Sequence, residues 1–131
     1  MSKYIGPNAK VGDSATVGDS AWVGDSATVG GSAWVGDSAT VGGSAWVGGS
    51  ATVGGSGEIK DTRDYICIGP IGSRNDFFTA HRDRETGVWV NAGCFHGSLE
   101  DFSSAVNKKS ADDIHRAEYE LAIALIRRRF A

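Results

Sequence analysis

The sequence predicts a β-solenoid of about three 18-residue coils, followed by a small C-terminal α+β cap. Three observations lead there. A six-residue pattern holds its register from Ile5 to Glu58. Glycine, at 19 of 131 residues, is about twice as frequent as in an ordinary chain, and most of it lies before residue 58. After Gly57 the glycine-rich pattern gives way to mixed aromatic and charged sequence.

From Val11 the chain reads VGDSAT, VGDSAW, VGDSAT, VGGSAW, VGDSAT, VGGSAW, VGGSAT and VGGSGE, and Ile5 to Lys10 fits the same template. A period of six is neither helical nor simple strand alternation. Gly followed by Asp or Gly tolerates positive φ cheaply and marks a corner. Ala-Thr-Val or Ala-Trp-Val between corners is a short strand, with Ala and Val pointing in and Thr or Trp pointing out. Three strands close one coil, so the nine hexads make three coils, about the minimum for a continuous solenoid core. A Gly/Ser linker would not keep Val and Ala in register through eight units.

Stacking at 18-residue offsets yields outward columns Lys10, Thr28, Trp46; Thr16, Trp34, Thr52; and Trp22, Thr40, Glu58. Each face carries one indole, and small Thr neighbours leave room for it above and below. The near-identity of the units points to recent duplication or to engineering. This pattern resembles the hexapeptide-repeat family. The resemblance implies a left-handed parallel β-helix over residues 1–60, and acyl transfer from coenzyme A as an activity to weigh.

Residues 61–131 predict three short strands and two helices, a unit marginal by itself. Tyr65 to Ile68 reads as a buried strand, Gly69 to Ser73 as a turn, and Asp76 to His81 as a second strand. Glu85-Thr86-Gly87 is a hairpin turn before a strand over Val88 to Ala92. Ser98 caps a helix over Leu99 to Asn107 with Asp101 in support, and Ser110 caps a second with Asp113. The second helix carries Ile114, Ala117, Leu121 and Leu125 on one face and Tyr119, Ile123, Ile126 and Phe130 on another, which predicts packing on two neighbours. Arg127, Arg128 and Arg129 suit its C-terminal end. The unit is expected to cover the open edge of the last coil. Ile68 to Asn75, with Gly93 to Gly97, Leu99 and Phe102, is similar to a tail of uncharacterised bacterial and phage hexapeptide-repeat proteins, a resemblance that implies no activity.

The chemistry on offer is sparse. A hexapeptide acyltransferase uses a His general base, by that family resemblance, and this solenoid has neither His nor Cys. Ser73, Arg74 and Asn75 put donors in one exposed turn that could hold a small anion, although the Gly69 to Ser73 stretch lacks the Gly-Lys-Ser/Thr ending of a phosphate loop. Cys94 and His96 flank Phe95 just before the Ser98 cap. If that stretch is extended they share a face, and the helix end would lower the thiol pKa; a buried small hydrophobe is the plainer reading of Cys94. Cys67, Cys94 and His96 lack the close ligand pair of a metal site. His81 and His115 read as surface residues. Neither a metal nor a cofactor is expected.

A net charge of −3 removes the usual electrostatic case for nucleic acid. No apolar run approaches the roughly 20 residues of a membrane span, and Met1 to Tyr4 starts no signal peptide, so a cytoplasmic location is expected. The reading is a non-enzymatic scaffold that self-associates or binds a partner, with Trp22, Trp34 and Trp46 as interface residues. The alternatives are the acetyl-CoA-dependent acyltransferase and a small-anion or ligand-binding module centred on Arg74 and residues 93–97. A homo-oligomer is expected, either through the open first coil or side by side about a three-fold axis, as the family resemblance implies; Pro7, which removes a donor from the first coil, favours the latter.

Overall fold

A computed structural model describes residues 3–71, 76–92, 95–108 and 115–131. The hexads form a parallel solenoid of two-residue strands. Strands β1 (Tyr4–Ile5), β4 (Trp22–Val23), β7 (Thr40–Val41) and β10 (Glu58–Ile59) stack as one face. The second face holds β2 (Lys10–Val11), β5 (Thr28–Val29) and β8 (Trp46–Val47). The third holds β3 (Thr16–Val17), β6 (Trp34–Val35) and β9 (Thr52–Val53). Trp22 pairs with Thr40, Thr28 with Trp46 and Trp34 with Thr52, so one coil is 18 residues. Each coil donates to the next: Trp22 N–H reaches Ala39 O at 3.0 Å and Trp34 N–H reaches Ala51 O at 2.9 Å.

The interior is a column of Val and Ala that ends in Ile59, with Val23 through Val53 fully buried. Burial falls away at the opposite end. Ile5 is 42% exposed, and Ala9, Val11 and Ala15 are half-buried, because no coil lies beyond them among the described residues. Tyr4 instead stacks on the Trp22 ring at 5.5 Å.

The corners turn through left-handed backbone, with φ of 50° at Asp25 and 52° at Asp37 and between 57° and 62° at Gly31, Gly43, Gly49 and Gly55. A corner Asp also reaches along the stack. Asp25 Oδ2 accepts the Gly43 N–H at 3.0 Å, and Asp37 Oδ2 accepts the Gly55 N–H at 2.9 Å. Gly31 and Gly49 share a corner column but differ in surroundings. A Cβ on Gly31 would lie 2.8 Å from the backbone N and O of Gly49, whereas one on Gly49 would meet nothing within 4 Å. Gly49→Ala is therefore expected to cost the left-handed penalty alone, about 1 kcal/mol, and Gly31→Ala about 2–3 kcal/mol. Urea unfolding midpoints compare them; equal losses would show that the two corners do not touch.

The cap is a four-stranded antiparallel sheet, β11 (Tyr65–Ile71), β12 (Asp76–Asp83), β13 (Gly87–Ala92) and β14 (Phe95–Ser98), carrying helices α1 (Leu99–Asn107) and α2 (Arg116–Arg129). A capped turn at Thr62–Asp64 links it to the solenoid. The cap departs from expectation in three places. Among the described residues the cap has four strands where three were expected: Phe95–Ser98 pairs with β13, a pairing its His-Gly sequence does not announce. Strand β11 continues through Gly69 and Pro70 to Ile71, where a turn was expected, with a register shift between Ile68 and Ile71. Among the described residues, helix α2 packs on one side, where two were expected. Its Ile123 and Ile126 join Phe78, Phe102 and Val90 in a second core, with the Tyr119 and Phe78 rings stacked at 5.3 Å, while Leu121 is 72% exposed and Leu125 48% exposed. The sheet and α1 lie together against one face of α2, the face opposite Leu121 and Leu125. Ser98 caps α1 as expected, accepting the Asp101 N–H at 3.1 Å, whereas the expected Ser110 cap with Asp113 and Ile114 lies outside the described residues.

Candidate functional site

A solenoid that ends leaves strand N–H groups without acceptors, and each buried one costs free energy. The cap answers with side chains. Thr52, Gly54 and Ser56 donate to Thr79 Oγ1 at 2.9 Å, His81 Nε2 at 3.2 Å and Asp83 Oδ1 at 2.9 Å. The constant offset of 27 residues means that alternate side chains of β12 run alongside the last coil as a substitute rung. Trp46 and Gly48 donate to Thr62 Oγ1 and Tyr65 OH on the second face, and Lys60 to Asp64 Oδ2 on the first. Arg84 clamps the same end, donating to Ser38 O at 2.7 Å and to Thr40 Oγ1 at 3.1 Å.

His81 is consequently no surface residue. It is fully buried, because the polar face of β12 meets the solenoid end and not solvent. A backbone N–H can only donate, so Nε2 is the bare nitrogen and Nδ1 donates to Arg82 O at 2.9 Å. Burial holds its pKa below the usual imidazole value, against the opposing effects of that hydrogen bond and of Asp83. Burial pushes the Asp83 carboxyl up, but bonds from Thr86, Glu85 and Ser56 outweigh it and leave the pKa lowered. Cys67 accepts the Thr79 hydroxyl at 3.9 Å, and burial raises its pKa above the usual thiol value.

Where the cap meets the third face, a cleft of about 260 Å³ opens between Trp34, Asp37 and Thr52 of the solenoid and Trp89, Asn91 and His96 of the cap. Gly54 and Gly55 lie close beside its walls. A Cβ on Gly55 would stand 3.0 Å from the Trp89 ring, and one on Gly54 2.9 Å from Asp37 Oδ2, so side chains there would crowd the walls. Asn91 organises the cap side. Its Nδ2 donates to Thr52 O at 3.0 Å, while its Oδ1 accepts the Trp89 indole N–H at 3.2 Å and meets His96 Nδ1 at 2.8 Å. The indole can only donate and the carbonyl only accept, which fixes the amide orientation. His96 Nδ1 therefore carries a proton and donates it to Asn91 Oδ1.

Of the residues singled out in the sequence, His96 lies in this cleft and Trp34 forms its solenoid wall. Ser73, Arg74, Asn75 and Cys94 lie outside the described residues, so the anion turn and the Cys94–His96 pair do too. Trp22 and Trp46 stand on the other two faces, 37% and 51% exposed. Each of the three indoles folds over the glycine two residues ahead of it, where a Cβ would overlap the ring. Sequence reasoning missed Trp89, Asn91 and Asp37 as site residues. The spacing Trp89-x-Asn91 on one strand face, opposite a Gly-Gly corner, was the signal to follow. Among the described residues no three His, Cys, Asp or Glu side chains are grouped to hold a metal ion, and no helix is long and apolar enough to cross a membrane. Comparison with models of known families, with curated proteins and with solved structures gave no match.

Proposed function

We propose that the chain is a non-enzymatic interaction module of the hexapeptide-repeat kind, a left-handed β-helix whose outward indoles engage a partner, a second copy first of all. The observation that carries this reading is the set of three half-exposed indoles, Trp22, Trp34 and Trp46, one per face, each held flat over a glycine on a rigid stack. Flat aromatic surfaces that lose little entropy on contact are what protein interfaces favour. The buried polar side chains Thr79, His81, Asp83 and Asn91 are all engaged in closing or lining the solenoid end, which supports a structural use of them over a catalytic one. Side-by-side association is preferred to stacking, because the cap occupies the C-terminal end and leaves first coil against first coil as the stacked arrangement.

Sedimentation velocity tests this. The intact protein is expected to sediment as an oligomer, with a trimer as the preferred state, and a variant with Trp22, Trp34 and Trp46 all changed to Thr as a monomer. A monomeric wild type at high micromolar concentration overturns the reading. An oligomer indifferent to the three changes removes the indoles from the interface. A second reading, a small-ligand module, draws its support from the cleft that unites His96 with two indoles.

A further inference from the structure

Two solenoid faces carry the same outward arrangement: an indole, a carboxylate three residues on, and a Thr and two glycines one coil later. On one face these are Trp22, Asp25, Thr40, Gly42 and Gly43; on another they are Trp34, Asp37, Thr52, Gly54 and Gly55. The repeat builds the shelf twice, but the two are finished differently. Beside Trp22 stand Glu58 and Lys60, paired at 3.2 Å. Beside Trp34 the cap adds a second indole, an oriented amide and an imidazole.

We propose that the Trp34 shelf binds one pyranose ring of a saccharide. The assignment rests on the small-ligand reading of this cleft and gives it a ligand class. A pyranose has an apolar face of C–H groups and a rim of hydroxyls, each of which donates and accepts. The cleft matches both parts. Trp34 and Trp89 supply aromatic surface for the C–H face. The polar lining is mixed in sense: the Asp37 carboxylate accepts, the Asn91 amide donates, and the His96 imidazole and the Thr52 hydroxyl add polar groups that hydroxyls can meet. A quaternary ammonium would use the indoles and the Asp37 carboxylate but would find no use for the Asn91 donor. The volume of about 260 Å³ suits one ring and not an extended chain.

The test is calorimetry and indole fluorescence of the intact chain with D-glucose, D-galactose, D-mannose and N-acetyl-D-glucosamine, with tetramethylammonium as counter-probe. At least one sugar is expected to bind saturably. Trp34→Thr should weaken it about tenfold or more. That variant keeps its fold, because the repeat itself places Thr at the neighbouring positions Thr16 and Thr52 of the same column. His96→Ala, at an exposed position, should weaken binding several-fold by removing the imidazole from the cleft wall. Lys60→Ala, beside the other shelf, should change nothing. No saturation by any of the four sugars, preference for tetramethylammonium, or sugar binding indifferent to Trp34→Thr each overturns the proposal. Sedimentation without sugar reports on the module separately: a chain that assembles through its indoles yet ignores all four sugars loses this ligand assignment alone.

Discussion

Val35→Asp is expected to unfold the protein. Val35 is fully buried and stacked between Val17 and Val53 in a column lined by Val and Ala. Neither a counter-charge nor a hydrogen-bonding side chain belongs to the buried residues of that core. An unpaired carboxylate there costs several kcal/mol even after it takes up a proton, against a total stability of roughly 5–15 kcal/mol for a domain. Circular dichroism of the variant checks it: a spectrum and melting curve like those of wild type would show that the register of the solenoid is wrong. Trp34→Thr and Trp46→Thr carry no such penalty, because those side chains point outward.

The second large effect lies at His81. His81→Leu removes the acceptor of the Gly54 N–H and leaves a buried donor unpaired, a loss of about 1–3 kcal/mol. Acid should act at the same place, because a protonated Nε2 would face the Gly54 N–H donor to donor. The folded pKa is lowered, chiefly by burial, so the unfolded chain takes up a proton before the folded one does. This group's contribution is therefore fully present above about pH 6.5 and is lost as pH falls below it, by at most about 1.4 kcal/mol per unit until the folded pKa is reached. Asp83, whose pKa is also lowered, adds its loss only in the carboxylate range, below about pH 5, and comparison with a variant at position 81 separates this imidazole from His96 and His115. His81→Gln can present an amide oxygen where Nε2 stands and does not titrate. Urea midpoints at pH 7, 6 and 5 should fall for wild type and stay level for His81→Gln; parallel losses in both would place the acid sensitivity elsewhere.

The solenoid was legible because its two requirements repeat. Val and Ala recur in the inward positions, and Gly or Asp recurs where the backbone must turn left-handed, as at Asp25 and Gly31. The cap was legible where local chemistry decides, as at the Ser98 cap of α1. It was not legible where a polar residue has a buried job. Strand β12 alternates Phe78 and Ala80 with Thr79, His81 and Asp83, the pattern of a sheet with one wet face. Both faces are buried, and the polar one is spaced to match donors two residues apart on another element. Recognising that requires knowing that residues 52–56 end a stack with unpaired N–H groups. The cleft was hidden for a related reason: Trp34 and Asp37 are about 50 residues from Trp89 and Asn91 in sequence, and the docking of β12 brings them together. Leu121 and Leu125 show the converse, since helical spacing marks an apolar stripe but not whether anything covers it.

The alternation of Thr and Trp sets a ruler on the stack. Outward residues repeat every 12 positions, whereas coils repeat every 18, so neighbouring coils are out of phase and the surface is a checkerboard. The two periods coincide only at 36 residues. Adding one coil at the first-coil end would lengthen the rod by about 4.8 Å and leave untouched the squares that the cap reads. Adding one coil immediately beneath the cap would exchange Thr and Trp on every face it meets, placing an indole where the Thr52 backbone now receives Asn91. Growth of this molecule at its capped end is therefore quantised in pairs of coils, whereas its open end can grow one coil at a time.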